Sequence, residues 1–201
     1  MWFAKDKESN ETDYLAEVKE FHRQFVEPYK GKSKGCWDFE IRSLEKSFGF
    51  ELPLAYKQYL AWMGKDYNGV FVGCDWFISN VEDNTAWLPE LLEENNITFV
   101  LPENYLCFFS HQGYIVAWFE LPKLGDNPPC WFYHEGMNLK EPIIEGTFTD
   151  ILLKDMQGMA EPLPRLYQRA TYQINGRERL QRASYQSCSF RRRVISTVRR
   201  L

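Results

Sequence analysis

The sequence lacks the features that mark exported, membrane-spanning and metal-dependent proteins. Its 5 cysteines are odd in number and scattered, at Cys36, Cys74, Cys107, Cys130 and Cys188, with no C-x-x-C pair among them. That disfavours a disulfide framework and predicts reduced thiols in a reducing compartment. Met1-Trp2-Phe3-Ala4 runs straight into the charged Lys5-Asp6-Lys7-Glu8 without the apolar centre of an export signal, and no apolar run reaches the length of a membrane span. The expected address is therefore the cytosol. H-E-x-x-H and calcium-loop patterns are missing, so no metal ligand and no cofactor site is assigned. The lysine- and glycine-containing stretch Tyr29 to Gly35 lacks G-x-x-x-x-G-K-[ST] spacing and reads as a solvated linker, not a phosphate cradle. No internal repeat recurs at a fixed period.

What the chain has in quantity is apolar surface. Hydrophobic residues make up 44% of the 201 and aromatics 16%, enough to offset the entropy of ordering one domain with an appendage. The net charge of −4 conceals a division. Residues 1–158 hold 14 Lys and Arg against 26 Asp and Glu, a net −12, whereas residues 159–201 hold 10 against 2, a net +8. An acidic body repels nucleic-acid phosphates and draws in basic proteins over a screening length of about 8 Å at physiological salt.

Periodicity gives the organisation. Leu15, Val18, Phe21 and Phe25 lie on one stripe of a predicted helix over Asp13 to Glu27, stopped by Pro28. A second helix over Asp38 to Phe48 carries Ile41, Leu44 and Phe48 on one face, with Gly49 as its left-handed terminator. Leu52-Pro53 opens a third, with Tyr56, Tyr59, Leu60 and Met63 inward and Gly64 at its end. Val70-Phe71-Val72 and Trp76-Phe77-Ile78 then read as short strands. Ser79 to Asn95 reads as a helix that Pro89 divides. Tyr105 to Phe109, Gly113 and Tyr114 to Phe119 form the clearest strand-turn-strand unit, Cys130 to Tyr133 supplies another strand, and Thr147-Phe148-Thr149-Asp150 caps a helix through Ile151, Leu152 and Met156. Helices first, then strands and a closing helix, predict an α+β fold. The expected division is an N-terminal helix and loop over 1–36, a domain over 37–158 and a basic tail over 159–201. In the tail, Arg191-Arg192-Arg193 and Arg199-Arg200 are the candidates for nucleic-acid contact, weighed against simple electrostatic folding onto the acidic body.

The stretch Ile41-x-x-Leu44-Glu45-x-x-Phe48-Gly49-x-x-Leu52-Pro53-x-x-Tyr56-Lys57-x-Tyr59-Leu60, followed by Asn68-Gly69, strand pairs and the helix start Thr147 to Leu152, resembles the SMI1/KNR4 (SUKH) superfamily over about Trp37 to Met156. Where the family typically has Asn-Gly-Gly, this chain has Asn68-Gly69-Val70. The resemblance implies a mixed, mostly antiparallel sheet packed with N-terminal and C-terminal helices. It also implies, in bacteria, a frequent role as an immunity protein that neutralises a polymorphic toxin, often a nuclease, and in eukaryotes a regulatory interaction module.

The search for chemistry finds no catalytic constellation. Cys107, His111 and His134 could in principle meet as nucleophile and base, but Cys107 sits in a strand-like run where a buried thiol is commonplace, and both histidines sit at predicted turns. No catalytic residue is assigned. If the domain is an inhibitor, its expected recognition surface is the acidic group Asp75, Glu82, Asp83, Glu90, Glu93 and Glu94, pairing with the lysines and arginines of a nuclease groove. Trp76 and Trp87 flank that group as anchors, or else pack in the core. The expected partner is a basic toxin protein. A regulatory scaffold with another protein client, and nucleic-acid binding through the tail, are the competing readings.

Overall fold

The computed structural model describes residues 12–122, 124–137 and 140–167. Its contacts divide the chain into two units, Met1–Ala160 and Glu161–Leu201. The second is described only at 161–167, with a helical turn over 163–167, so the arginine clusters at 191–193 and 199–200 lie outside the described residues.

In the first unit, α1 (Ala16–Phe25) meets the short α2 (Glu27–Lys30), where Pro28 opens a new turn and does not merely stop the old one. The buried stripe is Leu15, Val18, His22 and Val26; Phe25, predicted inward, is 51% exposed. His22 takes the inward position because its ring finds both a hydroxyl, Ser33 Oγ at 3.1 Å, and the edge of Trp62. The linker after α2 is less solvated than predicted. Its Gly35 lies so close to the next helix pair that a Cβ there would fall 1.7 Å from the Ala61 carbonyl oxygen, and the adjoining Cys36 N–H donates to the Leu60 carbonyl.

Helix α3 (Asp38–Phe48) starts where Glu40 accepts from the Trp37 N–H at 2.8 Å, and ends at Gly49, whose φ of 75° is left-handed as predicted. Helix α4 (Leu54–Met63) buries Tyr56, Tyr59, Leu60 and Met63. The two strands expected at 70–72 and 76–78 do not form. Residues 68–77 are turns, and Ile78–Asn80 is a 3-10 turn leading into α5 (Val81–Glu94). Val70, Phe71, Trp76 and Phe77 are apolar because the segment crosses the core, not because it pairs with a sheet.

Nor does Pro89 divide α5. Proline cannot donate to the carbonyl four residues back, here Thr85, and that oxygen instead accepts from Tyr105 Oη at 3.3 Å. The hydroxyl of Thr85 accepts from the Cys107 N–H at 3.0 Å, so one residue of α5 is tied twice to the first strand.

Four strands, β1 (Tyr105–His111), β2 (Ile115–Glu120), β3 (Pro129–His134) and β4 (Ile143–Thr147), form an antiparallel sheet in sequence order. The α+β class holds, and β4 is an element the sequence reading missed. Thr147 then caps α6 (Phe148–Ala160), its N–H and hydroxyl both donating to Asp150 at 2.9 and 2.7 Å. One face of the sheet packs on α5 through Leu88, Leu91, Leu92, Cys107, Val116, Trp118 and Tyr133. The other face carries an aromatic core in which Tyr56, Phe108, Phe119 and Phe148 meet with ring centroids 5.1–6.2 Å apart.

A bulge in β1 decides what reaches that second face. Cys107 pairs with Trp118, but Phe109 pairs with Ala117, so Phe108 is the extra residue. Alternation would send Phe108 and Phe109 to opposite sides. With the bulge both phenyls lie against the Trp76 indole, at 5.4 and 5.0 Å. His111 follows Phe109 onto the same side.

Candidate functional site

Two surfaces hold the candidate residues, one on each side of the sheet. On the first, α5 buries Val81, Asn84, Leu88, Leu91 and Leu92. At 3.6 residues per turn, Glu82, Asp83, Glu90, Glu93 and Glu94 then share an outward arc of about 120°. All five are exposed, and no ion pair or hydrogen bond among the described residues engages their carboxylates.

Their surroundings reinforce the charge. From residue 66 to residue 122 the chain holds nine Asp and Glu and no Lys or Arg. A simple count along the sequence would have found this window. Glu82 and Asp83 stand in the first turn of α5, where the helix dipole favours them, but Glu93 and Glu94 stand in the last turn, which carries no basic residue. There each carboxylate opposes the dipole by about 0.3–1 kcal/mol. A cleft of about 420 Å³ between α5 and Phe48, Phe50 and Tyr105 opens beside Glu82. Another of about 380 Å³, floored by Leu92, Ile97 and Phe99, opens beside Glu93. Negative charge flanking apolar clefts suits side chains that join a cationic head to an apolar stem.

The remaining predicted residues fall differently. Asp75 is half-buried just before α5, its N–H donating to the Ser110 carbonyl at 2.8 Å and its own carbonyl accepting from Asn84. Trp76 is fully buried on the opposite side of the sheet, and Trp87 is half-buried against the α5 core. The Trp76 indole is therefore a core residue, while the Trp87 indole packs against the α5 core with part of its surface exposed.

The second surface is a cleft of about 340 Å³ between α6 and the end of the sheet, with Cys74, His111 and Asp155 in its lining. Cys107 is not there. It is buried on the α5 face, with its thiol directed to the Phe109 carbonyl, so the Cys107–His111 pairing does not occur. The β1 bulge carries His111 away from it and towards Cys74, whose Sγ lies 3.0 Å from His111 Nδ1. No linear motif encodes that pairing, because it depends on one extra residue in a strand. Burial, with Asp155 and Asp75 adding to it, pushes the Cys74 thiol up to about 12. The sulfur therefore keeps its proton, which is the reverse of an activated nucleophile. His134 ends β3, with its ring 6.0 Å from Tyr114, and does not line the cleft.

No group of three potential metal ligands comes together among the described residues. No helix among them is long and apolar enough to cross a membrane. Compared with curated proteins, the chain has no match. The family model described as SMI1 / KNR4 family (SUKH-1) matches residues 35–154, a span running from the linker before α3 into α6 that contains the α5 surface and all of the second cleft's lining except Asp155, Gly158 and Met159. By that match, over more than half its length, the chain belongs to the SMI1 / KNR4 family (SUKH-1).

Proposed function

We propose that this protein is an immunity-type inhibitor that neutralises a basic toxin, of nuclease type, by covering the toxin's own cationic groove with the outward face of α5. Membership of the SMI1 / KNR4 family supports a protein-interaction or immunity-type role, and domains of this family are generally not enzymes. The observation that carries the finer reading is the row of five exposed carboxylates on α5, without an ion-pair partner among the described residues, within a window free of lysine and arginine. A nuclease groove is lined with cations placed to hold phosphates, and a rigid carboxylate row meets the same cations. Inhibition then needs occupancy alone: no bond is made or broken, and no cofactor takes part.

The test is co-expression with candidate basic toxin domains, taken first from the products of neighbouring genes. The expected result is rescued growth and a complex that weakens steeply as salt rises. Reversing Glu82, Asp83 and Glu90 to lysine together should leave the thermal unfolding cooperative and abolish rescue. A complex that survives the triple reversal, or that ignores salt, would place recognition elsewhere.

A further inference from the structure

The cleft on the α6 side of the sheet has a composition that docking through α5 does not use. One face of α6 supplies Ile151, Lys154, Asp155, Gly158 and Met159 at helical spacing, and the sheet supplies Phe109, His111, Ile115 and Phe132. Its volume of about 340 Å³ lies within the range of small-molecule sites, and its walls are mainly apolar.

Three observations fix what such a ligand must be. First, Asp155 has one oxygen committed, Oδ2 accepting from the Trp76 indole N–H at 2.6 Å, while no described residue bonds its other oxygen. Burial pushes this carboxyl up, against the smaller opposing effects of the Trp76 hydrogen bond and of His111. Second, the neighbouring basic side chains have partners of their own. Lys154 is ion-paired with Glu145, and His111 Nδ1 lies 3.0 Å from Cys74 Sγ. Third, Gly158 sits in α6 with no backbone need for glycine: it is helical, and a Cβ there would meet no atom within 4 Å. Glycine within a helix costs roughly 0.5–1 kcal/mol against alanine. What its bare Cα provides is an open wall.

We propose that this cleft is a binding site for a small organic cation with an apolar body, an arylalkylamine being the simplest case, whose ammonium pairs with Asp155 and whose ring lies among Phe109, Phe132, Ile115 and Met159. Aromatic walls and a thioether add cation–π and sulfur contacts to the ion pair. The inference stands apart from the proposed toxin binding, since it uses the opposite face of the sheet.

The test is a titration of the full-length, 15N-labelled chain with phenethylamine, read at the Trp76 indole N–H resonance, with 2-phenylethanol and phenylacetate as the neutral and anionic counterparts. The amine should give a saturable shift and bind roughly tenfold or more tightly than the alcohol, the worth of one charge-assisted contact. Asp155→Asn keeps an acceptor for Trp76 and should erase the difference between amine and alcohol. Gly158→Leu should abolish binding of both while the remaining amide spectrum is unchanged. Equal binding of amine and alcohol by the parent chain, preference for phenylacetate, no saturable shift, or a Gly158→Leu variant that titrates like the parent would each overturn the assignment. Should the leucine variant fail to fold, the asparagine variant alone decides it.

Discussion

Two tyrosines three residues apart in α4 occupy the same aromatic core in different states of satisfaction. Tyr59 Oη donates to the Trp76 carbonyl at 2.8 Å, whereas Tyr56 Oη is buried with no partner among the described residues. Removing an unsatisfied hydroxyl relieves a desolvation cost, and removing a satisfied one strands its acceptor. Tyr56→Phe should therefore be neutral or stabilising by up to ~1 kcal/mol, and Tyr59→Phe destabilising by about 1 kcal/mol, both measured by denaturant unfolding. His22 gives a pH signature. Burial holds its imidazole below the ordinary value of 6.5, against a smaller opposing pull from Glu27. The unfolded chain thus takes up the proton first, so the stability His22 contributes is complete above about pH 6.5 and is lost as pH falls towards its folded value. Asp66 and Asp155, raised by burial above the ordinary 3.8, act in the opposite sense: their contribution is complete below 3.8 and declines as pH rises through their folded values. The His22 effect should accordingly be isolated as the difference between the unfolding midpoints of the parent and of His22→Gln, a difference that shrinks on acidification.

At the scale of elements, α5 combines a useful face with an unfavourable end. Neutralising Glu93 and Glu94 to glutamine should raise the stability of the domain by about 0.3–1 kcal/mol per site and, under the proposed function, weaken the complex. Calorimetric unfolding and toxin titration of the same variant read the two effects separately. The elements legible in the sequence were those whose signals are local. Gly49 after an apolar stripe, Leu52-Pro53 before one, and Thr147 with Asp150 three residues on each specify a helix end by chemistry within one turn. The illegible ones depended on distant partners. The 70–78 segment has strand-like residues but no strand beside it. Pro89 is tolerated because Tyr105, sixteen residues on, satisfies the carbonyl it orphans. The short β4, interrupted by glycine at Gly146 and by a register shift opposite Cys130 and Trp131, leaves too little alternation to detect. The same distinction governs the sites: the acidic face could be read from spacing alone, but the approach of Cys74, His111 and Asp155 required the fold.

For the whole molecule, the five exposed carboxylates of α5, in a sequence window without a basic residue, present charge of one sign along one helix face. A field of that kind acts mainly on encounter. Under the proposed function, stopped-flow mixing with a basic toxin should show an association rate that falls steeply with ionic strength and a dissociation rate that changes little. Equal salt sensitivity of both rates would indicate that the charges are buried in the complex and not arrayed at its rim.

The double tie between Thr85 and β1 bears on what that encounter costs. A helix fastened to its sheet through both its backbone carbonyl and its hydroxyl cannot roll about its axis to suit a visitor. The partner must therefore fit the carboxylate row as it stands. Under the proposed function, selectivity between related toxins would then rest on geometric matching by the partner, with little loss of configurational freedom on this side when the two associate.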